Sequence, residues 1–259
     1  MIDVLLALAG LALTSPVPAA RAATSVEAPG PQAKASPAKA PAKGKGKAKP
    51  QAKKTAAPAK DKSLESAVNR SEATTRVADW VAATDDNGAL PYIIIDKNNA
   101  AAFLFSAKGK PLAKAPVLIG VAVGDEATPG VGSKNLAEIG PAEKTTPAGR
   151  FLAKYGVAAG KEKVLWVDYA TSVALHPIPP GASKKERRRQ RMLSPTSDDN
   201  RITFGCINVP LAFYNKSVKP LFQKKGGYVY ILPDTKPLEA VFPPLFVQAW
   251  ANKSASTGG

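Results

Sequence analysis

The sequence predicts a mainly β fold, a sandwich or open barrel with a few short helices, preceded by a disordered basic linker. From Pro91 to Pro233 the chain is a series of short β-branched and aromatic runs, separated by glycines and prolines, without long helical patterns between them. By contrast, residues 23–62 consist mainly of Ala, Pro and Lys with almost no large apolar side chain, so they cannot bury enough surface to offset chain entropy. About 150 residues remain, which is ample for one hydrophobic core.

The first 22 residues are predicted to be a secretory signal peptide. An apolar run from Val4 to Leu13 is followed by two prolines and by Ala20–Arg21–Ala22, which has the small residues of a cleavage site. Because this run is too short to cross a bilayer, we expect export to the periplasm or cell envelope, with no transmembrane segment in the mature chain. A short membrane anchor is the alternative.

The linker, residues 23–62, carries ten lysines against Glu27 and Asp61. Its net charge is therefore +8, half of the chain's net charge of +16. Such a segment attracts polyanions, so nucleic acids and the anionic polymers of the envelope are both candidate partners. Export argues against nucleic acid, because an exported protein meets little of it. We therefore predict no nucleic-acid partner and a contact with anionic envelope polymers; a solvated linker without a partner is an equal alternative.

Residues 63–89 are predicted to form a helix that leads into the domain. Apolar side chains recur at three- and four-residue steps over Ser63–Ala83, and Asp85–Gly88 should end the helix. The domain itself, residues 90–233, should contain eight short strands and a hairpin turn at Lys108–Lys110. The predicted strands are Tyr92–Ile95, Ala102–Ser106, Val117–Val123, Gly149–Tyr155, Val164–Tyr169, Val173–His176, Ile202–Thr203 and Tyr228–Leu232.

Residues 234–259 form a C-terminal extension that should fray from Asn252 onward. Four apolar side chains of the extension are expected to pack on the domain: Phe242, Leu245, Phe246 and Trp250.

Two long loops interrupt the strand pattern. Gly124–Thr146 is punctuated by glycine and proline, and loops of this length are usually functional or disordered. The second loop lies between His176 and Cys206. It contains Ser183–Glu186, which fits a capping box and should open one helix that continues to Met192. We interpret this helix, with a net charge of +5, as a lid that attracts a carboxylate-bearing substrate. A solvated loop is the alternative.

The chain has one cysteine, Cys206, and one histidine, His176. Cys206 follows the β-type run Ile202–Phe204 and precedes a helix expected to begin at Pro210, so a helix N-terminus should favour its thiolate form. The alternative is a small buried core residue without chemistry. One histidine and one cysteine cannot build a structural zinc site, and no glycine-rich phosphate loop is present, so we expect neither a metal nor a cofactor.

The pattern around this cysteine resembles the signature of the YkuD-type L,D-transpeptidases, in which a histidine precedes Ser/Thr–His–Gly–Cys–apolar–Asn/Arg. This chain has His176 and, further on, Thr203–Phe204–Gly205–Cys206–Ile207–Asn208. Phe204 stands where the family has a second histidine, and the spacer is longer than usual, as for a divergent proteobacterial branch. The resemblance spans roughly Leu90 to Pro233 and implies the YkuD-like β-sandwich or open barrel as the fold.

The resemblance implies an acyltransferase that cross-links peptidoglycan stem peptides. Cys206 would attack a stem-peptide carbonyl, His176 would be its base, and the carbonyl of Pro177 would orient the imidazole. The N–H groups of Gly205 and Cys206 would form the oxyanion hole. The diaminopimelate amine would then resolve the thioester, giving a 3–3 or a 1–3 linkage. The residues predicted to contact the substrate are Arg187, Arg201, Thr203, Phe204 and Asn208.

Three alternatives stay open from the sequence. Water in place of the amine would make an L,D-carboxypeptidase or amidase, which product analysis with and without an acceptor amine distinguishes. Phe204 could instead mark a non-catalytic wall-binding module, whose Cys206 would react with thiol reagents like free cysteine. Nucleic-acid binding through the linker is the third alternative, and deletion of residues 23–62 should then abolish function.

Overall fold

The protein is described by a computed structural model over residues 68–158 and 162–247. The predicted signal peptide, the basic linker and the first residues of the predicted N-terminal helix lie outside the described residues. Trp250 and the end of the C-terminal extension lie outside them as well.

Over the described residues the N-terminal helix, α1, spans Glu72–Thr84, and residues 68–71 before it are not helical. Ser71 caps it, because its backbone is extended and its Oγ accepts a hydrogen bond from the Thr74 N–H at 3.0 Å. The helix ends where Asp85 adopts a left-handed conformation, at the start of the predicted stop. Apolar periodicity continues across this cap in the sequence, so the pattern alone did not show the break before Glu72; the predicted start at Ser63 lies outside the described residues.

Short strands form most of the regular structure. They are β1 Tyr92–Asp96, β2 Ala101–Phe105, β3 Pro111–Pro116, β4 Ile119–Gly120, β5 Gly149–Val157, β6 Lys163–Asp168, β7 Val173–Pro177, β8 Arg201–Thr203, β9 Ile207–Val209 and β10 Gly227–Ile231. The prediction of a strand over Val117–Val123 was wrong outside β4, and β3 and β9 were missed. β3 begins and ends with proline, which is tolerated because β3 is an edge strand.

The remaining helices are single turns or little more. They are α2 Arg188–Met192, α3 Leu211–Phe213, a π-helical segment Tyr214–Val218, α4 Lys219–Phe222 and α5 Leu238–Val241. The 3₁₀ turns are Val131–Ser133, Leu136–Glu138, Pro141–Glu143, Lys184–Glu186 and Ser197–Asn200. Over residues 68–158 and 162–247, no helix has the length and apolar character needed to span a membrane.

Eight strands form one sheet in the order β3-β2-β1-β10-β5-β6-β7-β9, and β4 pairs with β8 in a second, two-stranded sheet. The predicted hairpin is present between β2 and β3, with Gly109 at φ 72° in its turn. β1 runs parallel to β10, and β7 runs parallel to β9, whereas the other neighbours in the large sheet are antiparallel.

The edges of the large sheet meet and nearly close it into a barrel. Leu118, two residues beyond the edge strand β3, exchanges two backbone hydrogen bonds of 2.9 Å with Asn208 of the other edge strand, β9. Asn200 Nδ2 reinforces the junction by donating to the Val117 carbonyl at 2.7 Å. The expectation of a mainly β, open-barrel fold with short helices is therefore confirmed.

Alternation along the strands divides the core into two clusters. Ile93 and Ile95 of β1 belong to the cluster inside the curved sheet, whereas Tyr92 and Ile94 face the outer cluster under α1. Because both faces of β1 are covered, all five of its residues are buried. In the extension, Phe242 and Leu245 join the outer cluster as expected, but Phe246 is exposed, so that part of the expectation was wrong.

A buried ion network holds both ends of the Gly124–Thr146 loop. Lys97 Nζ donates to the carbonyls of Gly124 at 2.6 Å and Thr146 at 3.0 Å, and it pairs with Asp125 at 3.0 Å and Asp234 at 3.3 Å. Burial opposes ionisation of Asp125, but hydrogen bonds from the N–H groups of residues 234–236 and from the Thr235 hydroxyl outweigh it and hold its pKa well below the usual range. The loop is thus anchored at its base.

Candidate active site

The last residues of β7 and the first residues of β9 bring His176 and Cys206 into one region. The parallel register pairs Leu175 with Ile207 and His176 with Asn208. Cys206 directly precedes β9, two residues before Asn208, and its Sγ lies near the carbonyl oxygen of Ser172, the residue before β7. The helix expected at Pro210 is present, with Pro210 as its N-cap and Leu211 as its first residue, but β9 separates it from Cys206, so the expectation that its N-terminus lies beside the thiol is wrong.

The His176 ring is held at both nitrogens. Nδ1 lies 2.8 Å from the Pro177 carbonyl oxygen, which is the orienting contact that the sequence predicted. Nε2 lies 3.4 Å from Nδ2 of Asn208. Burial lowers the pKa of His176; the Pro177 carbonyl and Glu162 act in the opposite direction, and the positive charge of Arg188 adds to the lowering. The lowered pKa favours the neutral form of the imidazole at neutral pH.

Cys206 is partly exposed, and its thiol donates a long hydrogen bond to the Ser172 carbonyl, with Sγ at 3.6 Å from the oxygen. Burial raises the pKa of the thiol, although the Ala174 backbone and the charge of Arg188 act against this. The expected stabilisation of the thiolate is therefore wrong for this structure. In the part of the chain that the structure describes, no hydrogen bond joins Cys206 to His176.

The turn before Cys206 is fixed from both sides. Gly205 has φ 124°, and a Cβ there would lie 2.7 Å from the Thr145 carbonyl oxygen, so the position requires glycine. The Thr146 hydroxyl donates to the Gly205 carbonyl at 2.8 Å, and the Thr203 hydroxyl donates to the Cys206 carbonyl at 2.6 Å. The Gly205 N–H donates to Thr203 Oγ1 at 3.2 Å and so already has an acceptor.

Phe204 points outward from this turn and is 37% exposed. The ammonium group of Lys144 lies over its ring, 4.0 Å from the centroid, which is a cation–π contact. Phe204 therefore presents an aromatic face and a neighbouring positive charge at the place where the family resemblance expects a histidine. Sequence reasoning missed Lys144, because no local pattern connects it with Phe204.

The basic segment between the two candidate catalytic residues is not one helix. Lys184–Glu186 is a 3₁₀ turn, Arg187 adopts a left-handed conformation (φ 50°), and α2 begins only at Arg188. Ser183 caps the first turn through Lys185 N–H, but the left-handed residue ends it before a regular helix can continue.

Arg188 is the residue of this segment that reaches the candidate site. Its NH1 donates to Oδ1 of Asn208 at 2.7 Å, and its Nε pairs with Glu186 at 2.8 Å. Arg187, which the sequence analysis selected, is exposed, and within the described residues its side chain makes no hydrogen bond or ion pair. The sequence marked an arginine cluster here but could not show which member faces inward.

Arg201 is engaged within the fold. Its NH2 pairs with Asp234 Oδ1 at 2.8 Å, and only 12% of its side chain is exposed. This contact joins β8 to the ion network around Lys97. Thr203 is likewise buried and hydrogen-bonded within the turn, so substrate contacts by Arg201 and Thr203 stay predictions.

A groove of about 1640 Å³ opens beside the site. Residues 177–180 and 209–212 line it, together with Arg189 and Met192 of α2 and the cations Lys163 and Lys219. Pro177 and Val209 thus connect it to the strand ends that hold His176 and Asn208, whereas Cys206 is not among its lining residues. Among the described residues, no group of three or more His, Cys, Asp or Glu side chains could hold a metal ion.

No family model matches the sequence, and no curated protein matches it. Solved structures with a similar fold include the helical cell shape determining protein Pgp2 from Campylobacter jejuni (14% identity, 61% of this chain and 56% of that chain, TM-score 0.39). They also include the catalytic domain of an L,D-transpeptidase from E. faecium (16% identity, 54% and 95%, TM-score 0.30). A third is an L,D-transpeptidase from Xylanimonas cellulosilytica (14% identity, 55% and 60%, TM-score 0.32). The chain spans 56% of the length of the first of these structures.

Proposed function

We propose that this protein is an exported L,D-transpeptidase that joins peptidoglycan stem peptides through a thioester on Cys206. The observation that carries the proposal is the arrangement of β7 and β9. Their parallel register pairs the only histidine of the chain with Asn208, two residues after the only cysteine, and the Pro177 carbonyl oxygen lies 2.8 Å from Nδ1 of the histidine. The sequence pattern Thr203–Asn208 supports the same assignment.

In this mechanism the neutral His176 takes the proton of Cys206 through Nε2 as Sγ attacks a stem-peptide carbonyl. The carbonyl of Pro177 accepts from Nδ1–H and stabilises the imidazolium that forms. After the S–C bond forms, the amide C–N bond of the stem peptide breaks, and His176 returns the proton to the leaving amine. A second amine, the diaminopimelate side chain, then attacks the thioester and releases the thiol. No ATP is needed, because the thioester conserves the energy of the broken amide.

The oxyanion that develops on the attacked carbonyl needs donors near Cys206. Because the Gly205 N–H already donates to the Thr203 hydroxyl, we assign the Cys206 N–H as the main donor. Gly205 N–H would contribute if its bond to Thr203 were shared with the oxyanion. Phe204 and Lys144 lie at the entrance to the turn, where the cation suits a substrate carboxylate and the ring suits the apolar part of a stem peptide.

The resting structure requires a rearrangement before this chemistry. Nε2 is occupied by Asn208, the thiol donates to Ser172, and the pKa of Cys206 is raised by burial. A thiol held in this way is unreactive until substrate displaces one of these contacts. This resting geometry also supports a second candidate function, a peptidoglycan-binding module without turnover.

Mass spectrometry of the products that the purified full chain forms from disaccharide–tetrapeptides distinguishes these functions. Wild-type protein should give dimers with a new amide bond at the 3–3 or 1–3 position, and Cys206→Ala should give none. Shortened monomers without dimers, even when an acceptor amine is supplied, would instead assign a carboxypeptidase or amidase. Peptidoglycan binding by both forms with no product would assign the binding module and contradict the transpeptidase.

A further inference from the structure

Arg188, Asn208 and His176 form a chain of hydrogen bonds whose donor and acceptor directions are all determined. Arginine has only donors, so the amide atom of Asn208 that lies 2.7 Å from NH1 must be its oxygen. The amide nitrogen therefore faces Nε2 of His176 at 3.4 Å, and an NH₂ group can only donate. At the other end of the ring, a carbonyl oxygen can only accept, so Nδ1 carries the proton.

We propose that Arg188 is a positioning residue that, by fixing the orientation of the Asn208 amide, keeps His176 in the Nδ1–H tautomer with an unprotonated Nε2. This inference rests on the proposed function, because it gives the base of that reaction its proton-accepting form. The hydrogen bonds at the two ends of this network require the same tautomer of His176, although Arg188 and Pro177 belong to different segments. Asn208 is fully buried, so water does not compete for its amide.

Protonation of His176 would set Nε2–H against the NH₂ group of Asn208. Reversing the amide would relieve this conflict but would turn the NH₂ group toward the guanidinium of Arg188, where it again meets a donor. The orientation thus opposes the imidazolium through geometry in addition to the charge of Arg188. The charged groups that act on the ring are Arg188, which lowers its pKa, and Glu162, which raises it; the thiol of Cys206 shares the site.

The contact from Asn208 is long and therefore weak, so substrate can displace it. Once Nε2 is released, its lone pair is already free to accept the thiol proton, and no tautomer exchange has to precede the reaction. Arg188 itself is 13% exposed and is secured by Glu186, so the orientation is maintained from outside the reacting pair.

A ¹⁵N NMR titration of the full-length protein tests this directly, because the chain has one histidine and every imidazole signal is His176. The proposal expects a pyrrole-like Nδ1 and a pyridine-like Nε2 above the pKa of the ring. It also expects Arg188→Met to raise the pKa of His176 by about 1 or more, and the matched Arg189→Met to leave it unchanged. Protonated Nε2 in the wild type would overturn the proposal, as would an unchanged pKa in Arg188→Met.

A double-mutant cycle with Asn208→Leu separates orientation from charge. If Arg188 acts through the amide, Arg188→Met raises the pKa of His176 much less in the Asn208→Leu background than in the wild type. Equal increases in both backgrounds would show that Arg188 acts only as a charge and would overturn the proposal. Asn208→Asp keeps the shape of the side chain and offers an acceptor to Nε2–H, so it should raise the pKa of His176 above its value in the wild type. A decrease in this pKa would also contradict the proposal.

These readouts need no turnover, so they separate the inference from the proposed function. If the protein forms no cross-links but shows the expected tautomer and coupling, the positioning role of Arg188 stands and the transpeptidase assignment falls. If the protein forms cross-links but Nε2 is protonated, the transpeptidase assignment stands and the role of Arg188 falls.

Discussion

Replacing Lys97 with methionine removes the central cation of the buried network and should destabilise the fold more than any exposed substitution. Lys97 Nζ contacts four oxygens, the carbonyls of Gly124 and Thr146 and one carboxylate oxygen each of Asp125 and Asp234, and its side chain is completely buried. Without it, Asp125 and Asp234 stay buried with Arg201 as the one remaining cation of the network. Breaking a buried pair in this way costs about 3–5 kcal/mol, because the remaining charge lacks compensation.

Equilibrium urea unfolding of the full chain, followed by tryptophan fluorescence, measures this loss. With an m value of about 2 kcal/mol/M, the midpoint should fall by about 1.5–2.5 M. Lys108→Met, at an exposed position in the β2–β3 hairpin, is the matched control and should change stability by less than about 0.5 kcal/mol. A loss below about 1 kcal/mol for Lys97→Met, typical of exposed pairs, would refute the assignment of a buried network.

Three further predictions concern the candidate site. Gly205→Ala should lower the free energy of unfolding by about 1–3 kcal/mol and abolish cross-linking, because Gly205 has a positive φ and lies close to the Thr145 carbonyl. Gly181 lies in open space, so Gly181→Ala is the control and should have little effect. Circular dichroism melts compare the two variants. The lowered pKa of His176 means that the base stays neutral to lower pH, so the acid limb of kcat/KM should lie below about 6.5, and a limb above that value would contradict the assignment. Replacing the exposed Arg187 and Arg189 with serine should raise KM and weaken its salt dependence, and an unchanged KM would leave the segment without a role in binding.

The sequence predicted the mainly β class because alternating and β-branched runs report burial of strands directly. It missed β3, whose prolines are tolerated only at a sheet edge, and edge position is a tertiary property. It missed β9 as well, since Ile207–Val209 is too short for a periodic pattern and forms a strand by pairing with β7. Closure through Leu118 and Asn208 likewise depends on residues that are far apart in the chain.

At the candidate site, elimination selected His176 and Cys206 as the candidate base and nucleophile, and the carbonyl of Pro177 lies where the resemblance implied. The protonation states could not be predicted, because they depend on burial and on Arg188, whose inward direction follows from the left-handed turn at Arg187. Arg201 looked like a substrate ligand in the sequence, yet its partner Asp234 lies 33 residues away. Long-range pairing of this kind leaves no local signal.

The most direct test of the central claim is the intact mass of the full chain after incubation with a stem-peptide donor or a carbapenem, because one cysteine makes any thioester assignable to Cys206. The account predicts a single adduct that hydroxylamine removes, formed much more slowly by His176→Ala and not at all by Cys206→Ala. Two results would contradict it. One is an adduct of the same mass on Cys206→Ala. The other is cross-linking by the wild type that proceeds without any adduct on Cys206 and is undiminished in Cys206→Ala.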